Sequence, residues 1–265
     1  MIPPRLAANL DWLYTEHAYL DRPAAARADG FTAVELQQPH LHDADALAAR
    51  LAGLRVVLMN APAGDWAAGE RGFAALPGRQ ADFRDTTLRG LDLATRLGAA
   101  RVHLLSGLAE NEPEARATWL DNLRWAAEQS ALPLVVEPIN RRDMPGYFLH
   151  RQAQALDLLT TLASPRVQLQ LDLYHCRVAE GESALHLQRA LDLGLLGHVQ
   201  LAGTAGRHEP AAQEYAAELA LLDARGWPGA VGLEYRPRAG TSAGLVWLTN
   251  RTAPDHGSSI ASTRG

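Results

Sequence analysis

Leu134-Val135-Val136-Glu137-Pro138-Ile139-Asn140 decides the fold of this chain. Its first three residues suit a strand buried on both faces, and Pro138 denies the ladder its next donor. Glu137 therefore falls where the strand emerges. The same pattern recurs in Val167-Gln168-Leu169-Gln170-Leu171-Asp172, in Gly197-His198-Val199-Gln200-Leu201 and in Ala230-Val231-Gly232-Leu233-Glu234-Tyr235. Each is a strand-like run with an oxygen-bearing side chain at or near its far end. The intervals between Glu137, Asp172, Gln200 and Glu234 are each close to one strand-plus-helix unit of roughly 30 residues, so successive parallel strands bring all four to one rim.

Working outward, residues 5–9, 33–36, 55–60 and 101–105 read as the four preceding strands. Helices are expected over 22–30, 43–53, 81–97, 112–129, 152–162, 183–193 and 211–225 from apolar spacing and glycine stops. A long glycine-rich excursion fills 61–79, and loops of that length inside a compact domain are usually functional. Eight strand–helix alternations match an α/β chain folded as a single-domain (β/α)8 TIM barrel over residues 1–250. Residues 251–265 turn small and polar and are expected to be a disordered tail. A doubly wound open sheet is the alternative, but no glycine fingerprint for a dinucleotide follows the first strand.

The 265 residues, 47% of them hydrophobic, are enough for one large core. Apolar runs are too short to cross a bilayer and the start lacks a signal-peptide pattern, so a cytoplasmic protein without a membrane partner is expected. All 25 basic side chains are arginines. Without lysine there is no Schiff-base catalysis, no pyridoxal phosphate anchor and no Walker-type phosphate loop. A net charge of -5 argues against a nucleic-acid partner. The single cysteine, Cys176, excludes an internal disulfide and reads as a small semi-buried apolar residue. A homo-oligomer is left open.

Three carboxylates and a carboxamide on one rim repel one another and lose hydration unless a cation binds among them. Each acid taken alone is as well explained as a helix cap or an arginine partner; four at regular intervals are not. Glu137, Asp172, Glu234 and the Gln200 carbonyl form an all-oxygen set, which favours Mg²⁺ or Mn²⁺ over zinc. His175, three residues after Asp172, is placed to polarise a bound oxygen, and Arg207 to hold a substrate carboxylate through paired hydrogen bonds. His198 shares a strand face with Gln200, while His103 and His208 sit at strand ends or just beyond. Such a metal acidifies the C–H between a hydroxyl and a carbonyl and stabilises an enediolate, with Glu137 and Glu234 moving the proton. Aldose–ketose isomerisation or epimerisation of a small hydroxy-carbonyl acid is the natural outcome.

The chain resembles the hydroxypyruvate isomerase group of the metal-dependent, xylose isomerase-like barrels. The resemblance rests on Asn60-Ala61-Pro62-Ala63-Gly64-Asp65-Trp66, Gly69-Glu70-Arg71-Gly72, Glu137-Pro138-Ile139-Asn140, Asp172-Leu173-Tyr174-His175, His198-Val199-Gln200 and Glu234-Tyr235-Arg236-Pro237. It implies conversion of hydroxypyruvate to tartronate semialdehyde, with Glu137 and Glu234 as the catalytic pair. It further implies Glu137, Asp172, Gln200 and Glu234 as metal ligands, and His175, Arg207, Asn60 and His103 as substrate-binding residues. A sister activity in the group acts on 2-oxo-tetronates. The chain departs from the family at Ala211-Ala212-Gln213-Glu214-Tyr215, which is shorter and lacks the usual glycines. Rival readings are an abasic-site endonuclease on the same barrel, and a barrel that has lost its chemistry and serves as a binding protein.

Overall fold

The computed structural model describes residues 2–3, 5–211 and 213–249. Eight parallel strands close into a barrel in chain order: β1 (Leu6–Asn9), β2 (Ala33–Leu36), β3 (Arg55–Asn60), β4 (Val102–His103), β5 (Leu134–Val136), β6 (Val167–Asp172), β7 (Leu196–Leu201) and β8 (Val231–Leu233). Pairing of Leu6 with Val231 and of Ala8 with Leu233 shuts the ring. This is the expected single-domain TIM barrel. The expected tail, 251–265, lies outside the described residues.

Helices α1 (Arg22–Ala28), α2 (Ala44–Leu51), α3 (Gln80–Leu97), α4 (Pro113–Gln129), α5 (Gln152–Leu162), α6 (Leu173–Ala179), α7 (Ser183–Asp192), α8 (Ala216–Ala224), α9 (Thr241–Gly244) and α10 (Val246–Thr249) follow the strands. Their sequences explain their ends. Asp43 caps α2 by accepting from Ala46 N at 2.8 Å. Helix α3 buries Phe83, Thr87, Gly90, Ala94 and Leu97 at helical spacing, and stops at Gly98, whose φ of 64° is the left-handed conformation glycine adopts most readily.

Outward-facing strand residues such as Leu6, Val34, Leu169, Val199 and Val231 join the helices in one large apolar cluster. Inside the barrel Ala7, Ala33, Val57 and Ala230 form a separate small one. Two residues further along their strands the interior turns polar, with Asn9, Glu35 and Gly232 succeeding Ala7, Ala33 and Ala230.

Four points of the sequence reading are corrected. The fourth strand pairs only over Val102–His103, because the Leu105 and Ser106 carbonyls turn to accept from Ala74 N and Ala75 N in the 61–79 excursion. The helix expected over 211–225 begins at Ala216. Before it, the Glu214 carboxylate accepts from Thr204 N, Thr204 Oγ1 and Ala211 N and folds the chain into a turn, with Gln213 at φ 63°. Ala212, within the divergent loop, lies outside the described residues. Helix α6 has no counterpart among the expected helices; Asp172 starts it by accepting from Tyr174 N at 2.7 Å and His175 N at 3.4 Å. Cys176, on that helix, is fully buried rather than half-buried. No helix of the described residues is long and apolar enough to cross a membrane.

Candidate active site

Glu137 directly follows β5, Asp172 ends β6, Gln200 lies in β7 and Glu234 directly follows β8. All four are buried at the carboxyl end of the barrel. A cavity of about 720 Å³ opens there, and Glu137, Glu234, Asn60, His103, His175 and Arg207 all line it. Asp172 and Gln200 are fully buried and do not reach its wall. His208 is turned away, its Nδ1 2.8 Å from the Arg236 carbonyl.

Amide side chains hold the acids apart. Gln170 Nε2 donates to Glu137 Oε2 at 3.0 Å and to Gln200 Oε1 at 2.6 Å. Gln200 Nε2 donates in turn to Glu234 Oε2 and Glu35 Oε2, each at 2.7 Å, and Asn9 Nδ2 bridges the same two oxygens at 3.2 Å. The Gln200 carbonyl, expected to be a metal ligand, also accepts from Gln170. Arg207 donates to Glu234 Oε1 and lies 3.6 Å from Asp172 Oδ2, with its guanidinium over the Trp12 ring. Asn60 Oδ1 lies 3.2 Å from His103 Nδ1.

Glu137, Asp172 and His175 place ligand-capable atoms within 4.8 Å of one another. His175 Nε2 stands 3.7 Å from Asp172 Oδ2 and 3.9 Å from Glu137 Oε1. Those two carboxylate oxygens are buried and have no hydrogen-bond partner among the described residues. On the other side of the ring, Asn140 Nδ2 donates to His175 Nδ1 at 2.6 Å. Its orientation is set by Asp143, whose N donates to Asn140 Oδ1 at 2.9 Å and whose Oδ2 accepts from Nδ2 at 3.2 Å. With Nδ1 accepting, a neutral His175 carries its proton on Nε2, aimed at the cavity.

Residues 23–251 match the family described as xylose isomerase-like TIM barrel. The chain belongs to that family. It is 49% identical to a 2-oxo-tetronate isomerase of Cupriavidus necator, over 92% of this chain and 97% of the relative. To the hydroxypyruvate isomerase of Escherichia coli it is 36% identical, over 92% and 98%. Among solved structures, a protein described as AP endonuclease, family 2, from Brucella melitensis superposes with a TM-score of 0.88. It is 39% identical and the match covers 93% of this chain and 98% of that one.

In this xylose isomerase-like barrel, burial and crowding hold the carboxyls toward their protonated forms. Burial raises Glu234 to about 8, with Arg207 opposing and Asp172 adding to the rise. Asp172 is raised to about 6 by burial, again against Arg207. Burial, then Glu234 and Asp172, push Glu137 well above the usual carboxylate range. Burial lowers His175 and takes His103 to about 3, so both imidazoles are neutral at pH 7. Crowded acids and two orphaned oxygens fit a divalent cation, which would relieve both costs.

Sequence reasoning assigned no role to Asn9, Glu35, Gln170 or Asn140. Glu35 is only 1% exposed, and its Oε1 is bonded to His198 Nε2. One signal for it was present: Gly232 interrupts an apolar strand, and a glycine there marks a close approach. A Cβ at 232 would lie 1.9 Å from Glu35 Oε1.

Proposed function

We propose that this chain is an isomerase of the aldose–ketose type acting on a small hydroxy-carbonyl acid with Mg²⁺ or Mn²⁺. The observation that carries the reading is the pair of buried oxygens without a hydrogen bond, Glu137 Oε1 and Asp172 Oδ2, beside a cavity lined by Glu137 and Glu234. Glu137, Asp172, Glu234 and the Gln200 carbonyl would hold the cation. When bound, the cation polarises the substrate's neighbouring hydroxyl and carbonyl oxygens and so acidifies the carbon between them.

The chain's own residues supply the rest. In hydroxypyruvate, one glutamate of the Glu137–Glu234 pair removes a hydrogen from C3 and the other returns one to C2. The hydroxyl at O3 gives up its proton as O2 gains one, so the product is 2-hydroxy-3-oxopropanoate (tartronate semialdehyde) with no net change of oxidation state. His175 donates from Nε2 to the substrate oxygen that gains charge. His103 and Asn60, paired at the wall, orient the substrate's polar end. Arg207 balances the acids and attracts the substrate carboxylate.

A 2-oxo-tetronate is the second substrate reading. It is supported by the 49% identity to the Cupriavidus relative and by a cavity of about 720 Å³, which accommodates a further carbon. The endonuclease description of the Brucella protein has less support here, because a chain at -5 offers a phosphate backbone no net attraction. The test is an NMR assay in D₂O with Mg²⁺, offering hydroxypyruvate and a 2-oxo-tetronate in turn. Product with deuterium at the exchanged carbon is expected; no exchange on either acid overturns the reading.

A further inference from the structure

Glu35 does not line the cavity, yet it holds the Gln200 amide whose carbonyl shares Gln170 Nε2 with Glu137. Glu35 Oε2 accepts from Gln200 Nε2 at 2.7 Å and from Asn9 Nδ2 at 3.2 Å, and both amides also donate to Glu234 Oε2. Oε1 is matched by His198 Nε2. The two ends of a carboxamide are nearly equal in size, so its neighbours decide which end points where. Two carboxylates, Glu35 and Glu234, together claim the NH₂ end of Gln200. The carbonyl end is left on the Glu137 side, where it and Glu137 Oε2 share Gln170 Nε2.

We propose that Glu35 is a positioning residue for the isomerisation: seated in the space at Gly232 and bonded to His198, it keeps the Gln200 carbonyl turned toward Glu137 and the amide donors of Gln200 and Asn9 on Glu234. This rests on the reading of Gln200 as a metal ligand. The dependence on Gly232 is steric. Glu35 Cδ and both of its oxygens would lie within 2.5 Å of a Cβ at that position. Without Glu35, only Glu234 would hold the NH₂ end of Gln200, and the amide would be free to turn over. A carbonyl pointing at Glu234 is then lost to the cation.

The test compares wild type with E35Q and G232A, the second of which leaves every donor and acceptor in place and only crowds Glu35. Mn²⁺ affinity is read by the electron paramagnetic resonance of the free ion, and kcat and KM are measured separately. Loss of an outer-shell partner of this kind costs roughly 10–100-fold in metal affinity or activity. E35Q and G232A are therefore both expected to weaken Mn²⁺ and lower kcat by factors in that range, with KM for the acid changed much less. A residue that merely stabilised the barrel would lower melting temperature and active fraction while the remaining folded protein bound Mn²⁺ normally, and that result overturns the proposal. If E35Q does not fold, G232A decides the matter on the same readouts. Wild type that binds no Mn²⁺ and turns over neither acid removes the isomerase reading and this inference with it. Wild-type function with unaffected variants removes the inference alone.

Discussion

Arg207 donates to Glu234 Oε1 while its guanidinium stacks 4.2 Å above the centroid of the Trp12 ring. One side chain thus connects an aromatic wall of the cavity to one of its two proton-transfer candidates. Glu234, Asp172 and Glu137 raise the arginine's own pKa in spite of its burial, so it stays charged. A lysine would supply the charge without the planar face or the forked donors. Arg207→Ala and Arg207→Lys should both lower kcat/KM, the first by roughly 10²–10³-fold, the usual cost of removing a donor aimed at developing charge. Steady-state kinetics on the preferred acid decide it; unchanged values would make Arg207 a bystander.

The crowded carboxyls also set how the metal-free barrel responds to pH. Asp172 and Glu234 are raised by burial to about 6 and about 8, above the ordinary values of 3.8 and 4.5. The folded state therefore binds more protons than the unfolded chain, and stability from these groups is complete below about pH 4. It is lost as pH rises through about 6 for Asp172 and about 8 for Glu234. Glu16 and Asp143, whose pKa values are lowered, act oppositely but only at acid pH, and His103 and His175, lowered by burial, act oppositely up to their ordinary value of 6.5. Protein stripped with EDTA should thus melt at a lower temperature at about pH 9 than at about pH 7, a window above the histidine range, and Mg²⁺ or Mn²⁺ should raise the melting temperature more at the higher pH. Thermal scans with and without metal check this, and a metal-free protein most stable at alkaline pH would contradict it.

Much of the barrel's rim was legible in the chain because each strand announces its exit. Glu137, Asp172 and Glu234 stand where an apolar run ends, and strand pairing then carries them to one end. Glu35 was not legible, because Ala33-Val34-Glu35-Leu36 alternates as a half-exposed strand would. In a closed parallel barrel both faces are covered, so its polar face is the interior. The early stop of β4 depends on carbonyls meeting Ala74 and Ala75, a contact some 30 residues away in sequence that local pattern does not encode. The late start of α8 has a local cause that composition conceals. Gln213 takes a left-handed φ of 63°, which interrupts a helix there, while Glu214 ties Ala211 N back to Thr204. Asp172 looked like a ligand and is also the cap that starts α6; its Oδ1 caps the helix and its Oδ2 is left without a hydrogen bond.

On the proposed mechanism Glu137 and Glu234 take different parts of one proton transfer, and isotope exchange would separate them. Glu137→Gln and Glu234→Gln each keep size and hydrogen-bonding capacity while removing a proton carrier. Both should fold and lose most turnover, by roughly 10²–10⁴-fold. The residue that takes the first hydrogen should, when changed, also abolish deuterium uptake into unreacted substrate in D₂O. The residue that delivers the second should leave that uptake in place. Loss of product without any difference in uptake between the two variants would argue that one glutamate performs both steps.

Asn140 controls which nitrogen of His175 carries the proton. Its Nδ2 donates to His175 Nδ1, and Asp143 N and Oδ2 keep the amide from turning over. Asn140→Asp replaces that donor with an acceptor of the same shape, which draws the proton to Nδ1 and leaves Nε2 with a lone pair facing Glu137 and Asp172. On the proposed mechanism the donor to the substrate oxygen is then gone, and the new carboxylate also loses the bond to Asp143 Oδ2. Turnover should fall by roughly 10²–10³-fold, the scale for losing one donor to a developing oxyanion, with some lowering of melting temperature from the carboxylates brought together at 140 and 143. The ¹⁵N shifts of the His175 ring report the tautomer directly: wild type should show protonated Nε2 and the variant protonated Nδ1. Loss of turnover without a change of tautomer would place the effect of Asn140 elsewhere, and a changed tautomer with full turnover would mean that His175 does not donate in the reaction.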